Sequence, residues 1–329
     1  MEIFDTIGQK VEEVSSAQEA LQKTGLDFTV SKLPMYVNIG EVQDCDCEVQ
    51  VEDAFVNVRD DGRQLGVVGN RYHVIQNNEA LSLLDPLIQD GELEIENAGD
   101  FGDGRRVWLQ ARINNNGTFE PVKGDPIEKY AIFYNSHDGS SGIGVAFTPT
   151  RVWCENMLRA VLSRAKKANR SVKLRHTQNY KRRLEEAYTI FGQSNKYFDL
   201  FEEEMKYLSG ATVDVKTTKV FVDKFIPLPD TKQDGSIRRV NENRITLQNL
   251  IQNGRGTDVP GVRGTAYGLY NAAVEYSQYN KSMKGKNLPA EVRASRRAES
   301  MIFDGTLDKM SRKAESLALS AAEGTLVAA

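Results

Sequence analysis

The 329-residue sequence lacks most of the features that reveal an activity directly. It holds only 3 cysteines and 3 histidines, and Cys45, Cys47 and Cys154 are too few and too unevenly spaced for a disulfide framework. No apolar run approaches the roughly 18 residues of a membrane span. Residues 1–5 show neither the basic nor the apolar segment of a secretory signal peptide. These absences favour a cytoplasmic protein without membrane attachment.

Catalytic motifs are missing as well. The sequence contains no GxxxxGK[ST], GxSxG or HExxH segment. The tract from His137 to Ser141 holds His, Asp and Ser side by side, but a catalytic triad draws its members from separate elements. We therefore predict no catalytic residue, no cofactor and no metal, and expect a binding protein. A metal-dependent nuclease built on Asp100, Asp103 and Asp138 remains an alternative.

What the sequence does have is a strong separation of charge. Apolar residues make up 40% and charged residues 27%, which is enough for a sizeable core, and the net charge is −4. Residues 41–61 contain eight acids and one base, whereas residues 156–184 contain ten Lys or Arg and no acid. A block of like charge is either a solvated surface or a site for a partner of opposite charge. A local site for a polyanion is therefore compatible with the negative net charge of the whole chain.

The basic residues form two groups of candidate contacts for nucleic acid. One group would neutralise phosphates: Arg159, Arg164, Lys166, Lys167, Arg170, Lys173 and Arg175. In the other group cations alternate with rings, which suits stacking on unpaired bases: Arg71, Tyr72, Arg105, Arg106 and Trp108. The alternative for the second group is that Tyr72 and Trp108 belong to the core, with arginines at its rim.

The order of predicted elements indicates an α+β fold. Strands at 105–113, 129–135 and 142–148 precede a helix that begins near Arg151, which gives an antiparallel sheet in β-β-β-α order followed by a helical C-terminal region. A change of phase near Glu52 and Asp53 predicts a bulge or a turn. We expect a helical N-terminal arm at 1–28, an α+β core with the basic helix at 29–208 and a helical region at 209–329, interrupted by a loop at 227–240.

Several stretches resemble, in order, a phage- and plasmid-borne family of unknown function. The matching segments are 150–158 (TRVWCENML), 69–77 (GNRYHVIQN), 137–140 (HDGS), 264–276 (GTAYGLYNAAVEY) and 297–305 (RAESMIFDG). The sequence departs from the family pattern at Trp153, Met157 and Tyr267. The resemblance runs from about residue 35 to 318, and it implies a mobile element in a bacterial host cytosol.

A second resemblance concerns only the order of the elements. Strands, a hairpin and then a basic helix are similar to phage single-strand annealing proteins of the Red-beta and Rad type. That resemblance implies single-stranded DNA as the partner and a homo-oligomeric ring or filament. From the charge separation we expect the acidic 41–61 region of one subunit to meet a basic surface of the next, head to tail. The function expected is non-hydrolytic strand annealing in recombination or replication. The alternative is a mobile-element inhibitor that binds a host defence protein.

Overall fold

The structure, a computed structural model, describes eight segments of the chain and confirms the α+β class. They are residues 3–43, 47–114, 118–151, 171–177, 194–230, 234–282, 288–303 and 305–327. Two antiparallel sheets occupy the N-terminal half, and helices dominate from residue 194 onward. The helix predicted to begin near Arg151 falls on residues 152–170, outside the described residues.

Nine strands are described. They are β1 (Gln9–Lys10), β2 (Val30–Asn38), β3 (Glu48–Arg59), β4 (Gln64–Gly69), β5 (Leu93–Phe101), β6 (Arg106–Ile113), β7 (Ile127–Ser136), β8 (Ile143–Arg151) and β9 (Ser171–Leu174). The larger sheet has the order β1-β5-β6-β7-β8-β9, and the smaller has the order β2-β3-β4. The β7–β8 pair is the predicted hairpin.

The helices of the described residues come mostly after the sheets. They are α1 (Ile3–Ile7), α2 (Ala17–Lys23), α3 (Gly40–Gln43), α4 (Asn77–Leu81), α5 (Asp85–Gln89), α6 (Ser194–Gly210), α7 (Val215–Phe225), α8 (Asp234–Asn253), α9 (Ala266–Glu275), α10 (Ala290–Ile302) and α11 (Thr306–Ala322). Asp214 caps α7 by accepting a hydrogen bond from the Thr217 amide at 2.7 Å, as its side-chain chemistry favours.

Two helical boundaries differ from the prediction. Segment 1–28 holds two short helices, α1 and α2, because residues 9–10 between them pair with β5 and Ser16 caps α2. Helix α8 begins at Asp234, inside the predicted loop at 227–240. Asp234 lies in the first turn, where a carboxylate interacts favourably with the helix dipole.

The predicted bulge in the smaller sheet is confirmed. Pro34 pairs with Phe55, but Tyr36 pairs with Gln50, so residues 51–54 of β3 lie opposite Met35 alone. Asp53 has φ 54°, a conformation uncommon for a residue with a side chain. Beyond this irregularity β2 and β3 continue as a two-stranded ribbon, because β4 pairs only with residues 54–58.

The larger sheet is buried on both faces. Val107 and Leu109 of β6 face a large apolar cluster that runs from Val11 to Ala321 in the chain, whereas Trp108 faces a second cluster with Phe4 and Met301. Segment 1–28 thus contributes side chains to both clusters. The expected domain boundaries remain a prediction.

Trp108 belongs to this second cluster and not to a binding surface. Its exposed fraction is 0%, and its ring packs edge-on against Phe4 with 4.9 Å between centroids. A Cβ added to Gly99 would lie 2.5 Å from the indole, so the close approach needs glycine there. The structure corrects the expectation that Trp108 contacts bases, because a ring without exposed surface cannot stack on a ligand.

Cys47 is disulfide-bonded. The sequence predicts no disulfide framework, and this one bond does not make such a framework. None of the helices in the described segments has both the length and the apolar character needed to cross a membrane.

Replacing Trp108 with alanine should lower the free energy of unfolding by about 3–5 kcal/mol, because it leaves a large cavity between Phe4 and the sheet. Urea denaturation followed by circular dichroism measures the loss. Arg105→Ala removes an exposed side chain directly before β6, and it should change the free energy of unfolding by less than about 0.5 kcal/mol. Equal stability of the two variants would contradict the placement of Trp108.

Candidate functional site

The predicted phosphate contacts are only partly within the described residues. Arg159, Arg164, Lys166, Lys167 and Arg170 lie outside them. Lys173 is part of β9 and pairs with Gly144 of β8. Arg175 follows this strand and is exposed. The far edge of the larger sheet therefore carries the described end of the basic run.

Arg106 is held by other side chains of the same chain. Its guanidinium lies 2.9 Å from an Asp138 carboxylate oxygen, forms a second ion pair with Glu299 and covers the Phe303 ring. Only 17% of the side chain is exposed. The expectation that Arg106 contacts nucleic acid is corrected, since its charge is already neutralised. Its neighbour Arg105 is exposed.

Arg71, Tyr72 and Arg175 come together at one cleft. Its volume is about 620 Å³. The walls come from three separate parts of the chain, namely the segment after β4, the β7–β8 turn and the segment after β9. The lining residues are Arg71, Tyr72, Gly139, Ser140, Ser141, Gly142, Arg175, His176 and Thr177.

Tyr72 joins two of these walls. Its hydroxyl donates a hydrogen bond to the Ser136 carbonyl at 2.9 Å, and its ring stacks on His176 with 4.8 Å between centroids and 15° between planes. Burial raises the pKa of the Tyr72 phenol. His176 covers one face of the ring, so Tyr72 orders the cleft more than it offers a free stacking surface.

The β7–β8 turn is organised by Asp138. One carboxylate oxygen accepts hydrogen bonds from the Ser136 hydroxyl at 2.7 Å and from the Ser140 amide and hydroxyl at 2.9 and 2.6 Å. The other oxygen accepts from Arg106. Burial raises the pKa of Asp138, but the hydrogen bonds of Ser140 and Ser136 and the Arg106 charge outweigh burial and lower it. Asp138 therefore stays ionised and keeps the turn in one shape.

His137 and His176 are buried next to the cleft, whereas His73 is exposed and contacts His176 through its backbone. The His73 carbonyl lies 3.2 Å from His176 Nδ1, and His137 and His176 have ring centroids 6.4 Å apart. Asn77 Oδ1 lies 2.9 Å from His137 Nε2 and also accepts from Asn135. A carbonyl oxygen can only accept, so a proton on His176 Nδ1 and on His137 Nε2 completes these two contacts.

The other ring nitrogens have no hydrogen-bond partner. His137 Nδ1 and His176 Nε2 are both buried and unpartnered among the described residues. Burial lowers the pKa of His137 to about 3, with a contribution from His176, and burial lowers the pKa of His176 to about 4. Both imidazoles are therefore neutral at pH 7, and they add no charge to the cleft.

The positive charge of the cleft comes from its two arginines. Neither Arg71 nor Arg175 forms a hydrogen bond or an ion pair with another side chain in the part of the chain that the structure describes. The Ser141 hydroxyl is buried without a partner. Unpaired guanidinium groups beside a hydroxyl and a glycine-flanked turn are suited to bind an anion.

The β7–β8 turn and His176 were not predicted as parts of a site. The sequence indicates a polar hairpin tip at 137–141, which is confirmed, but nothing local places it beside Arg71 and Arg175. Ser140 and Ser141 become candidate binding residues only once the register of the sheet brings the three segments together. His176 lies within the basic run of residues 156–184, and this position is the one signal for it in the sequence.

The carboxylates considered for a nuclease have separate partners. Asp138 holds Arg106, Asp100 accepts from the Gly104 amide, and Asp103 is mostly exposed beside Arg63. Within the described residues, no three His, Cys, Asp or Glu side chains are grouped so as to hold a metal ion.

The two neutral histidines predict how stability depends on pH. Their pKa values are lower in the folded state than the ordinary 6.5, so the unfolded chain binds more protons between pH 6.5 and about 4. Stability is then fully present above pH 6.5 and is lost as the pH falls. Below pH 6 the free energy of unfolding should decrease by up to about 1.4 kcal/mol per pH unit for each imidazole.

Urea denaturation at pH 7.0, 6.0 and 5.5 measures this slope, in a range where most carboxylates remain ionised. The double variant His137→Gln/His176→Gln should show a much shallower dependence, whatever its stability at pH 7. A steep slope that persists in the double variant would show that other groups cause it.

Comparison with known proteins places residues 64–302 in one family. This segment matches the model described as "Domain of unknown function (DUF932)", and it includes the cleft residues Arg71, Tyr72, Ser140, Ser141 and Arg175. No curated protein matches the chain. No solved structure matches it either. The match covers more than half of the sequence, and the chain therefore belongs to the DUF932 family.

Proposed function

We propose that this protein binds single-stranded nucleic acid across the cleft between residue 71 and residue 175 and promotes strand annealing without hydrolysis. The observation that carries the proposal is the meeting of Arg71 and Arg175, which are far apart in the sequence, on one cleft where neither has a side-chain partner among the described residues. Unpaired cations exposed on a shared concave surface favour a polyanion over a single small acid.

The other walls of the cleft support phosphate contacts. The Ser140 hydroxyl lies next to Arg106 at 2.8 Å and belongs to the turn fixed by Asp138. The Ser141 hydroxyl has no exposed surface, so Ser141 contributes to the shape of the turn and is not counted as a phosphate contact. Hydroxyls and guanidinium groups are the usual partners of the sugar–phosphate backbone, and such contacts carry no base preference. The geometry therefore favours sequence-tolerant binding.

One feature favours a single strand over a duplex. Lys173 lies on the strand that borders the cleft, two residues before Arg175, and a single strand can follow a groove lined with cations. Tyr72 also lines the cleft, with one face of its ring covered by His176. Annealing requires only that bases remain exposed while the backbone is held.

The family match neither supports nor contradicts the proposal, because DUF932 has no assigned function. The resemblance to annealing proteins and the mobile-element setting belong to the proposal itself. The prediction that Lys166, Lys167 and Arg170 contribute phosphate contacts also stays a prediction.

Replacing both cleft arginines tests the proposal. Arg71→Glu/Arg175→Glu should weaken binding of a fluorescent oligo(dT) by more than about tenfold at low salt, because two attractive phosphate contacts become repulsive. In Arg71→Ala/Arg175→Ala, the slope of log affinity against log salt should decrease by about 1.4, which is two single-strand contacts. Fluorescence anisotropy measures both quantities.

The control removes two positive charges from a surface outside the cleft. Arg238→Ala/Arg239→Ala removes two exposed arginines of α8 that do not line the cleft, and it should leave the affinity within about twofold. Wild-type protein should also accelerate pairing of complementary labelled strands, without cleaving them in magnesium. No measurable affinity of the wild-type protein would overturn the proposal and favour the host-protein inhibitor, whereas cleavage would favour the nuclease.

A further inference from the structure

The smaller sheet ends in a projecting ribbon that nothing in the described chain covers. We define the arm as residues 36–53, of which 36–43 and 47–53 are described. Val37 pairs with Val49 and Asn38 with Glu48, beyond the end of β4. The bulge at residues 51–54 separates this ribbon from the three-stranded part of the sheet. The arm is therefore a distinct projection.

The arm exposes apolar side chains, whose contact with water is unfavourable. Tyr36 is 53% exposed and Val42 is 84% exposed, and the cross-strand pair Val37 and Val49 is 47% exposed at both positions. Scattered exposed apolar residues are normal, but a group of four on one short ribbon indicates a contact surface.

The arm also carries acids without partners. Its described carboxylates are exposed, and none forms an ion pair with a described residue: Glu41, Glu48, Glu52 and Asp53. Two arms laid against each other in a symmetric dimer would bring like charges together, which is unfavourable. The arm therefore needs a partner surface that is positive.

The Arg71/Arg175 cleft is a positive surface of the required kind. Lys32 donates to the Asn70 carbonyl at 2.7 Å, which holds the segment carrying Arg71 beside β2. Arg71 thus lies at the base of the arm, near Glu52 and Asp53 of the bulge, because Ala54 pairs with Gly69. Glu41 and Glu48 lie beyond the bulge, so the extended ribbon displaces these two outer acids from the cleft of their own molecule.

From this arrangement we infer that the arm of one copy docks on the Arg71/Arg175 cleft of a second copy, in a head-to-tail contact. Carboxylates of the arm pair with the two guanidinium groups, and Tyr36, Val37 and Val49 lose exposed surface. Such a contact uses different surfaces on the two copies, so it can extend to further copies. The arm is then a protein polyanion that occupies the cleft until a nucleic acid displaces it.

A charge exchange tests the contact directly. Size-exclusion chromatography with light scattering at low salt should give wild-type particles heavier than the 36.8 kDa chain. Glu48→Lys/Glu52→Lys alone, or Arg71→Glu/Arg175→Glu alone, should reduce the mass to that of one chain. The combination of all four changes should restore the heavier particles, because the arm becomes positive and the cleft negative.

The control Glu12→Lys/Glu291→Lys reverses two exposed acids outside the arm and should leave the wild-type mass unchanged. A wild-type protein of single-chain mass at every concentration would overturn the inference. So would a combined variant that stays at single-chain mass while circular dichroism shows it folded.

The displacement by nucleic acid rests on the proposed function, whereas the arm contact does not. Neutral variant Glu48→Gln/Glu52→Gln should bind the labelled oligo(dT) more tightly than wild type, since the competing arm is weakened. Charge-dependent self-association without any affinity for the oligonucleotide would reject the proposed function and keep the contact. Affinity for the oligonucleotide in a protein of single-chain mass would reject the arm contact and keep the proposed function.

Discussion

The ionised carboxylate of Asp138 is the constraint on which the cleft depends. It sits at the β7–β8 turn, where it receives hydrogen bonds from Ser136 and Ser140 and the charge of Arg106. The turn also packs tightly against the smaller sheet, because a Cβ on Gly66 would lie 2.6 Å from the Asp138 backbone. Asp138 thus lies where the two sheets meet: its carboxylate shapes the turn that forms a wall of the cleft, and its backbone packs against the smaller sheet. Neutralising it would loosen the wall and free Arg106 at the same time.

Local features were predictable because their causes are local. The β7–β8 hairpin follows from alternation around a polar turn, and the bulge near Asp53 follows from a change of phase in one strand. The Asp214 cap follows from side-chain chemistry three residues from its partner. Each of these depends on neighbours within a short window of sequence, which is where pattern reasoning has physical content.

The roles of Trp108 and Arg106 could not be obtained in that way. Adjacent Arg and Trp suit both a nucleic-acid surface and a core rim, and the choice depends on whether the second face of the sheet is covered. The cover comes from Phe4 and from residues after 298, at the two ends of the chain. Glu299, which neutralises Arg106, belongs to the same distant segment. Only the tertiary fold decides between the two roles.

The charges of the cleft and the stability of its floor depend on different groups. Guanidinium groups keep their charge at any pH the protein experiences, so attraction of an anion by Arg71 and Arg175 does not vary through the titration of the histidines themselves. His137 and His176 beneath them stay neutral only while the fold keeps water out. We therefore expect acid to act on the cleft by destabilising its floor, and not by changing its charge. Under the proposed function and the inferred arm contact, an acidic arm and a nucleic acid compete for the same two cations, and salt sets the balance more than pH does.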